Sequence, residues 1–275
     1  MDIEHRVVFR IDECLLLQDY LDENQISYKK DEYSVVFYIL NSSPHWPIIS
    51  EFVKKYQILC HSETIFTDEE LYSASWLYVW SSWRYDYPQP ENSYWKITYD
   101  GKNICCKCAQ ERVQQAPFRF KRPPKWGKRS FMSTNWVPDE LFVSECTMNR
   151  LRQVGYGDIS FCEVFNKSGK EIFPDIYQMK INQVLPPDGI VLENSCVKEV
   201  IICPVCGRKQ YGFQYVGQFV YKKETFSNAP DIVKSAEFFG WGHPSRNIYI
   251  SQKMFRFIKE NKMDASLNFE PLVLI

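Results

Sequence analysis

The stretch Val197-Lys-Glu-Val-Ile-Ile-Cys203-Pro-Val-Cys206-Gly207-Arg208 sets a β-rich run ahead of a Cys-Pro-x-Cys-Gly turn. A strand delivers one thiolate, a tight turn brings back another, and glycine tolerates the positive φ just past it; this is the shape of a zinc knuckle. A second pair stands in Ile104-Cys105-Cys106-Lys107-Cys108, after an expected strand at 94–99 and an Asp100-Gly101 turn. Two knuckles supply the four sulfurs of a tetrahedral Zn²⁺ site. The expected ligands are therefore Cys105, Cys108, Cys203 and Cys206, with Cys106 an alternative to Cys105. Lys107, Arg208 and Lys209 are placed to moderate the charge of four thiolates. The competing reading is a redox pair, but a thioredoxin-like Cys-x-x-Cys opens a helix, whereas both pairs here follow strands. Cys14, Cys60, Cys146, Cys162 and Cys196 stand singly, mostly beside apolar residues, and read as core positions.

The pairs are separated by 94 residues, far more than the loop of a compact zinc ribbon. An internal duplication removes that objection. Leu141-Phe-Val-Ser144, a helical pattern and Phe161-Cys-Glu-Val-Phe165 are answered by Ile248-Tyr-Ile-Ser251, a helical pattern and Phe269-Glu-Pro-Leu-Val273. Each serine is suited to cap the helix that follows it. Met148, Leu151 and Val154 stripe the first helix; Met254, Phe255 and Ile258 stripe the second. Residues of about 91–180 and 190–275 then form two related units, each contributing one knuckle to a shared centre. The second has nine extra residues between cysteine and serine, assigned to a loop around Gly240-Trp-Gly-His-Pro244.

Upstream, 6–11 and 34–40 have strand composition, while Leu15, Leu16, Leu17, Tyr20 and Leu21 recur at helical spacing. A second helix is expected over 47–56, with Ile48, Phe52 and Val53 on one face, and Thr67 with Glu70 has the spacing of a capping box. The prolines at 88 and 90 place a boundary near residue 90. The expected fold is thus α+β: a small N-terminal unit over 1–90, then a double-Cys-x-x-Cys domain over 91–275.

Of the 275 residues, 45% are hydrophobic and 24% charged, which excludes a disordered chain. The formal net charge of −1 provides no global field for a polyanion, so a nucleic-acid reading needs a local patch. No signal peptide or membrane-length apolar run is present, and the expected setting is cytoplasmic, where thiols stay reduced and paired cysteines hold metal.

Catalytic motifs are scarce. His61-Ser-Glu63 upstream of the first cysteine pair resembles the His-x-Glu of zinc deaminases, in which glutamate shuttles protons to a zinc-bound water. No proline precedes Cys105, nothing marks His61 as opening a helix, and that scheme leaves Cys203 and Cys206 unused. His243 reads as a loop residue. The segment 119–129 holds six cations, Arg119, Lys121, Arg122, Lys125, Lys128 and Arg129, with Phe120 and Trp126 among them. Such a mixture contacts phosphates while stacking bases, or meets an acidic protein surface, or is simply a solvated connection.

The paired cysteines, the strand–helix–strand after each, and the run Ala236-Glu-Phe-Phe-Gly…Tyr249-Ile-Ser-Gln-Lys…Asn268-Phe-Glu-Pro resemble the double-CXXCG-motif family of bacterial proteins over about residues 95–275. Only the second knuckle keeps the full Cys-x-x-Cys-Gly; Ala109 stands where the first should have glycine. Members are associated with polymorphic-toxin systems as immunity proteins. The resemblance implies a non-enzymatic protein that binds a partner such as a cognate toxin, with zinc serving architecture. The rivals are a nucleic-acid-binding zinc protein using 119–129 and a zinc-dependent deaminase.

Overall fold

Burial alternates along Asp2–Arg10 (β1), with Val7 and Phe9 inside and Arg6 and Arg10 outside. In the computed structural model this strand is central to an antiparallel sheet with Lys29–Lys30 (β2), Ser34–Leu40 (β3) and Leu59–Ile65 (β4), in the order β2-β3-β1-β4. Helices Leu15–Glu23 (α1) and Trp46–Tyr56 (α2) cover one face, giving the β-α-β-β-α-β arrangement of ferredoxin-like units. Leu17 and Leu21 of α1 point inward, whereas Leu15 and Leu16 are exposed; on α2 the buried residue is Ile49 rather than Ile48. The expected capping box forms before Asp68–Ser73 (α3): the Glu70 amide donates to Thr67 Oγ1 at 3.2 Å and the Thr67 amide donates to Glu70 Oε2 at 2.9 Å.

The structure describes residues 1–102, 104–156 and 159–275, and they fall into two compact units. One comprises 1–70 with 214–217; the other comprises 71–213 with 218–275. The division lies at Glu70 and not near residue 90, because Trp76–Ser81 (β5) belongs to the larger unit. There it is hydrogen-bonded between Ile248–Ser251 (β18) and Leu267–Pro271 (β19), with Ile232–Lys234 (β17) outside β18. The prolines at 88 and 90 break the chain after a strand already committed to this sheet.

A five-stranded sheet orders Arg119–Phe120 (β8), Ile159–Asn166 (β11), Ile172–Ile181 (β12), Val137–Val143 (β10) and Phe131–Thr134 (β9). Helices Glu145–Val154 (α5) and Gln252–Glu260 (α6) share one apolar core with both sheets. Period-two alternation divides the strands' side chains between cores. Leu141 and Val143 face the helices while Phe142 faces a second cluster with Phe118, Phe120 and Val164; Leu77 and Val79 face the helices while Trp76 faces a third with Tyr221 and Tyr249. Three smaller pieces complete the unit. Tyr94–Thr98 (α4) leads into Tyr99–Asp100 (β6), which pairs Val113–Gln114 (β7). Val197–Ile202 (β14) pairs Lys209–Phe213 (β15), and Ile190–Val191 (β13), Val220–Tyr221 (β16) and Val273–Leu274 (β20) make a short sheet. The strand expected at 94–99 is mostly α4: Tyr94 and Thr98, four apart, are its buried residues, a helical rather than alternating pattern.

The chain is therefore α+β, and the two stretches read as related units share several parts. Ser144 (φ −71°, ψ 161°) accepts from the Thr147 amide and Ser251 (φ −69°, ψ 161°) from the Met254 amide. In both sheets the flanking strands of the strand–helix–strand lie on either side of one antiparallel middle strand. That middle strand is β12 in the first, directly after the strand–helix–strand, and β5 in the second, which precedes its strand–helix–strand by 166 residues. Met254, Phe255 and Ile258 are all buried, as are Met148 and Leu151, but Val154 at the end of α5 is exposed.

Candidate metal centre

The second knuckle is the tip of the β14–β15 hairpin. The Cys203 amide donates to the Arg208 carbonyl at 2.9 Å and the Gly207 amide to the Cys203 carbonyl at 2.9 Å, with Gly207 at φ +72°. The first knuckle lies between β6 and β7. The Ala109 amide donates to the Cys105 carbonyl at 2.8 Å and the Cys105 amide to the Gln110 carbonyl at 3.4 Å, with Ala109 at φ +51°.

The turns bring Cys105, Cys108, Cys203 and Cys206 together, with all four Sγ atoms within 4.8 Å of one another. Cys105 Sγ is 3.7 Å from Cys203 Sγ, and Cys108 Sγ is 3.6 Å from Cys206 Sγ. A tetrahedron with Zn–S arms of about 2.3 Å has edges of about 3.8 Å. The donor set thus has the chemistry and spacing of a four-thiolate site, and it is complete without water, histidine or carboxylate. Among the described residues it is the one group of three or more His, Cys, Asp or Glu gathered closely enough to hold an ion. Cys106 is exposed and outside the cluster, so the first knuckle's donor is Cys105.

Electrostatics divide the thiols by position in the turn. The amides of Cys108 and Lys107 pull the Cys105 thiol down to about 6, and those of Cys206 and Val205 likewise lower Cys203. Each first cysteine is the natural thiolate of its knuckle. Burial pushes Cys108 the other way, up to about 12 in the absence of a cation. Around the cluster, Gln110, almost fully buried, donates from Nε2 to the Lys209 carbonyl at 3.1 Å and so ties one knuckle to the other. Glu111 Oε1 lies 3.8 Å from both Arg208 Nε and Arg246 Nη2, and Lys209 reaches Asp188 at 3.3 Å. Two of the three cations expected to moderate the thiolates are thus directed at carboxylates; Lys107 is exposed.

The remaining candidates are dispersed. His61 and Glu63 lie on β4, both exposed and two apart on one face of the smaller unit's sheet, with His61 edge-on to Tyr215 at 5.1 Å. They open no helix. His243 is exposed in its loop. Cys14 and Cys196 are buried as expected of core thiols and Cys60 and Cys162 half-buried, but Cys146 is exposed on α5, where Met148 and Leu151 take the inward positions. Of the 119–129 segment, Phe120 is fully buried and Trp126 packs against Trp83, while Lys121, Arg122, Lys125, Lys128 and Arg129 are exposed and Arg119 is half-buried.

One property escaped the motif search. Residues 1–70 hold 14 Asp and Glu against 6 Lys and Arg, a net −8, so the rest of the chain, with 20 against 27, is +7. Counting charge by unit instead of by chain reveals it, once the boundary is known. No helix among the described residues is long and apolar enough to cross a membrane. No protein-family model matches the chain, and no curated protein does.

Proposed function

We propose that the chain is a non-enzymatic, zinc-containing binding protein of the cytoplasm, of the immunity type, which acts by binding and neutralising a protein partner such as a cognate toxin. The observation that carries the architectural half is the buried four-sulfur cluster. Cys105, Cys108, Cys203 and Cys206 would hold Zn²⁺, and the ion would supply cross-linking of two turns that lie far apart in sequence. Four protein ligands leave no position for a substrate water, which favours folding support over hydrolysis. The binding half rests on the resemblance to the double-CXXCG-motif family; residues of about 91–180 and 190–275, as two related units, would contribute one knuckle each.

Two measurements test this reading. Elemental analysis of protein purified without added metal should give one zinc per chain, lost in Cys203→Ser. Affinity capture from the native host should recover one stoichiometric partner whose toxicity is suppressed by co-expression of this chain. Turnover of a nucleobase or nucleoside, abolished by Glu63→Gln, would overturn it in favour of the deaminase.

A further inference from the structure

The positive excess of the larger unit is concentrated between 119 and 129, where six of eleven residues are cationic. A run so charged is ordinarily a solvated, self-repelling segment. Here it is fastened. The Tyr85 hydroxyl donates to the Pro123 carbonyl at 3.1 Å, and Pro124 is buried. Trp126 donates from Nε1 to the Asp175 carbonyl at 2.9 Å and meets Trp83 edge-on, with ring centres 5.5 Å apart. The Arg129 amide donates to the Trp126 carbonyl at 3.0 Å, and its guanidinium lies over the Trp83 ring at 4.7 Å.

The fastening uses backbone carbonyls and rings and leaves the charges outward. Lys121, Arg122, Lys125 and Lys128 are exposed, and none of them forms an ion pair with a described residue. The carboxylate of Asp175, beside Trp126 in the fold, is engaged elsewhere: its Oδ1 accepts from the Glu145 amide at 2.9 Å, at the start of α5.

We propose that residues 121–129 are a docking surface for an acidic face of a protein partner. The proposal rests on the partner-binding reading above and names the surface that reading lacks. Four cations held apart by the fold have already lost much of the freedom that association would otherwise remove. Complementary charge then steers encounter and rejects partners of like sign. Single-stranded nucleic acid fits less well. Phe120 is in the core and unavailable to stack a base, and Trp126, half-buried, has its indole N–H bonded and its ring fixed edge-on to Trp83, which leaves one partly covered ring where successive bases need several.

The test titrates the full chain with a poly-glutamate peptide of about 20 residues, and separately with single-stranded DNA of about 20 nucleotides, at about 50 and about 300 mM salt. The loop variant carries Arg122→Glu, Lys125→Glu and Lys128→Glu. A control of equal charge change carries Lys29→Glu, Lys54→Glu and Lys222→Glu, and unchanged melting shows that both are folded. Peptide binding should weaken about tenfold or more in the loop variant, remain in the control, and exceed DNA binding. Equal weakening in both variants, no change in the loop variant, or DNA binding tighter than peptide would overturn the proposal. Failure of the two readings is distinguishable: a captured partner that binds the loop variant normally removes this surface and leaves the partner-binding function intact. Peptide binding through the loop in a chain that captures no partner does the reverse.

Discussion

Residues 105–110 and 203–208 close their turns with the same two backbone hydrogen bonds and the same left-handed residue after the second cysteine, yet they are supported very differently. The second turn caps a hairpin in which Val197–Ile202 pairs Lys209–Phe213 over five registered pairs. The first hangs on a ladder of two, Tyr99 with Gln114 and Asp100 with Val113. Glycine occupies the left-handed position in one and alanine in the other. The contrast teaches that the knuckle is a geometry set by its two backbone hydrogen bonds, with the ladder and the glycine as supports of graded importance. The turn with the poorer supports should depend more on the metal.

Chelation gives the largest expected effect. Structural zinc contributes on the order of 10 kcal/mol in small domains. Its removal should raise amide exchange across 104–112 by orders of magnitude while 197–213 keeps most of its protection; equal exposure of both would break the comparison. Next, alkylation of the metal-free protein at neutral pH should modify Cys203 well before Cys108, because the better-supported turn persists and holds its first cysteine as thiolate by its own amides, whereas burial raises Cys108. The sign follows from the lowered pKa. Cys105 favours the closed turn fully above the ordinary thiol range, and this contribution fades as pH falls and is gone below about 6. A Cys108 that reacted first would show that the turn geometry does not persist without the ion.

Smaller effects test the supports singly. Gln110→Ala removes the buried bond to the Lys209 carbonyl and should lower stability by about 1–2 kcal/mol in denaturant titrations of the metal-loaded protein. The smallest is an exchange at the left-handed residue. Ala109→Gly should stabilise by about 0.5–1 kcal/mol, and Gly207→Ala should destabilise by about 1 kcal/mol, since an added Cβ at 207 meets nothing within 4 Å and only the backbone term remains. Opposite signs at equivalent positions would establish the two turns as one design differently supported.

The four-cysteine cluster was legible because two Cys-x-x-Cys pairs leave thiols few other uses, and the serine caps because strand, serine and amphipathic helix are all local signals. Choice between Cys105 and Cys106 was not legible: adjacent thiols differ only in which side of a turn faces the partner turn, and that partner is 94 residues away. The same limit hid the place of Trp76–Ser81, whose continuous apolar run fits a strand buried on both faces but does not name the sheet that accepts it. Phe120 and Trp126 read as stacking rings because composition cannot show that Phe118, Phe142 and Trp83 wait to cover them. Charge by unit was hidden by the boundary, as opposite excesses cancel in a whole-chain count.

The antiparallel pairing of Trp76–Ser81 with Leu267–Pro271 also bears on synthesis. On the ribosome, Trp-Leu-Tyr-Val-Trp emerges 166 residues before Ile248–Ser251, the first of its two hydrogen-bonding neighbours, and still longer before Leu267–Pro271. At about 5–20 residues per second the wait is roughly 10–40 s. An apolar, β-prone segment left unpaired for that long is a target for chaperones and a seed for aggregation, so recombinant yield should respond to holdase co-expression and to slower growth more than final stability would suggest.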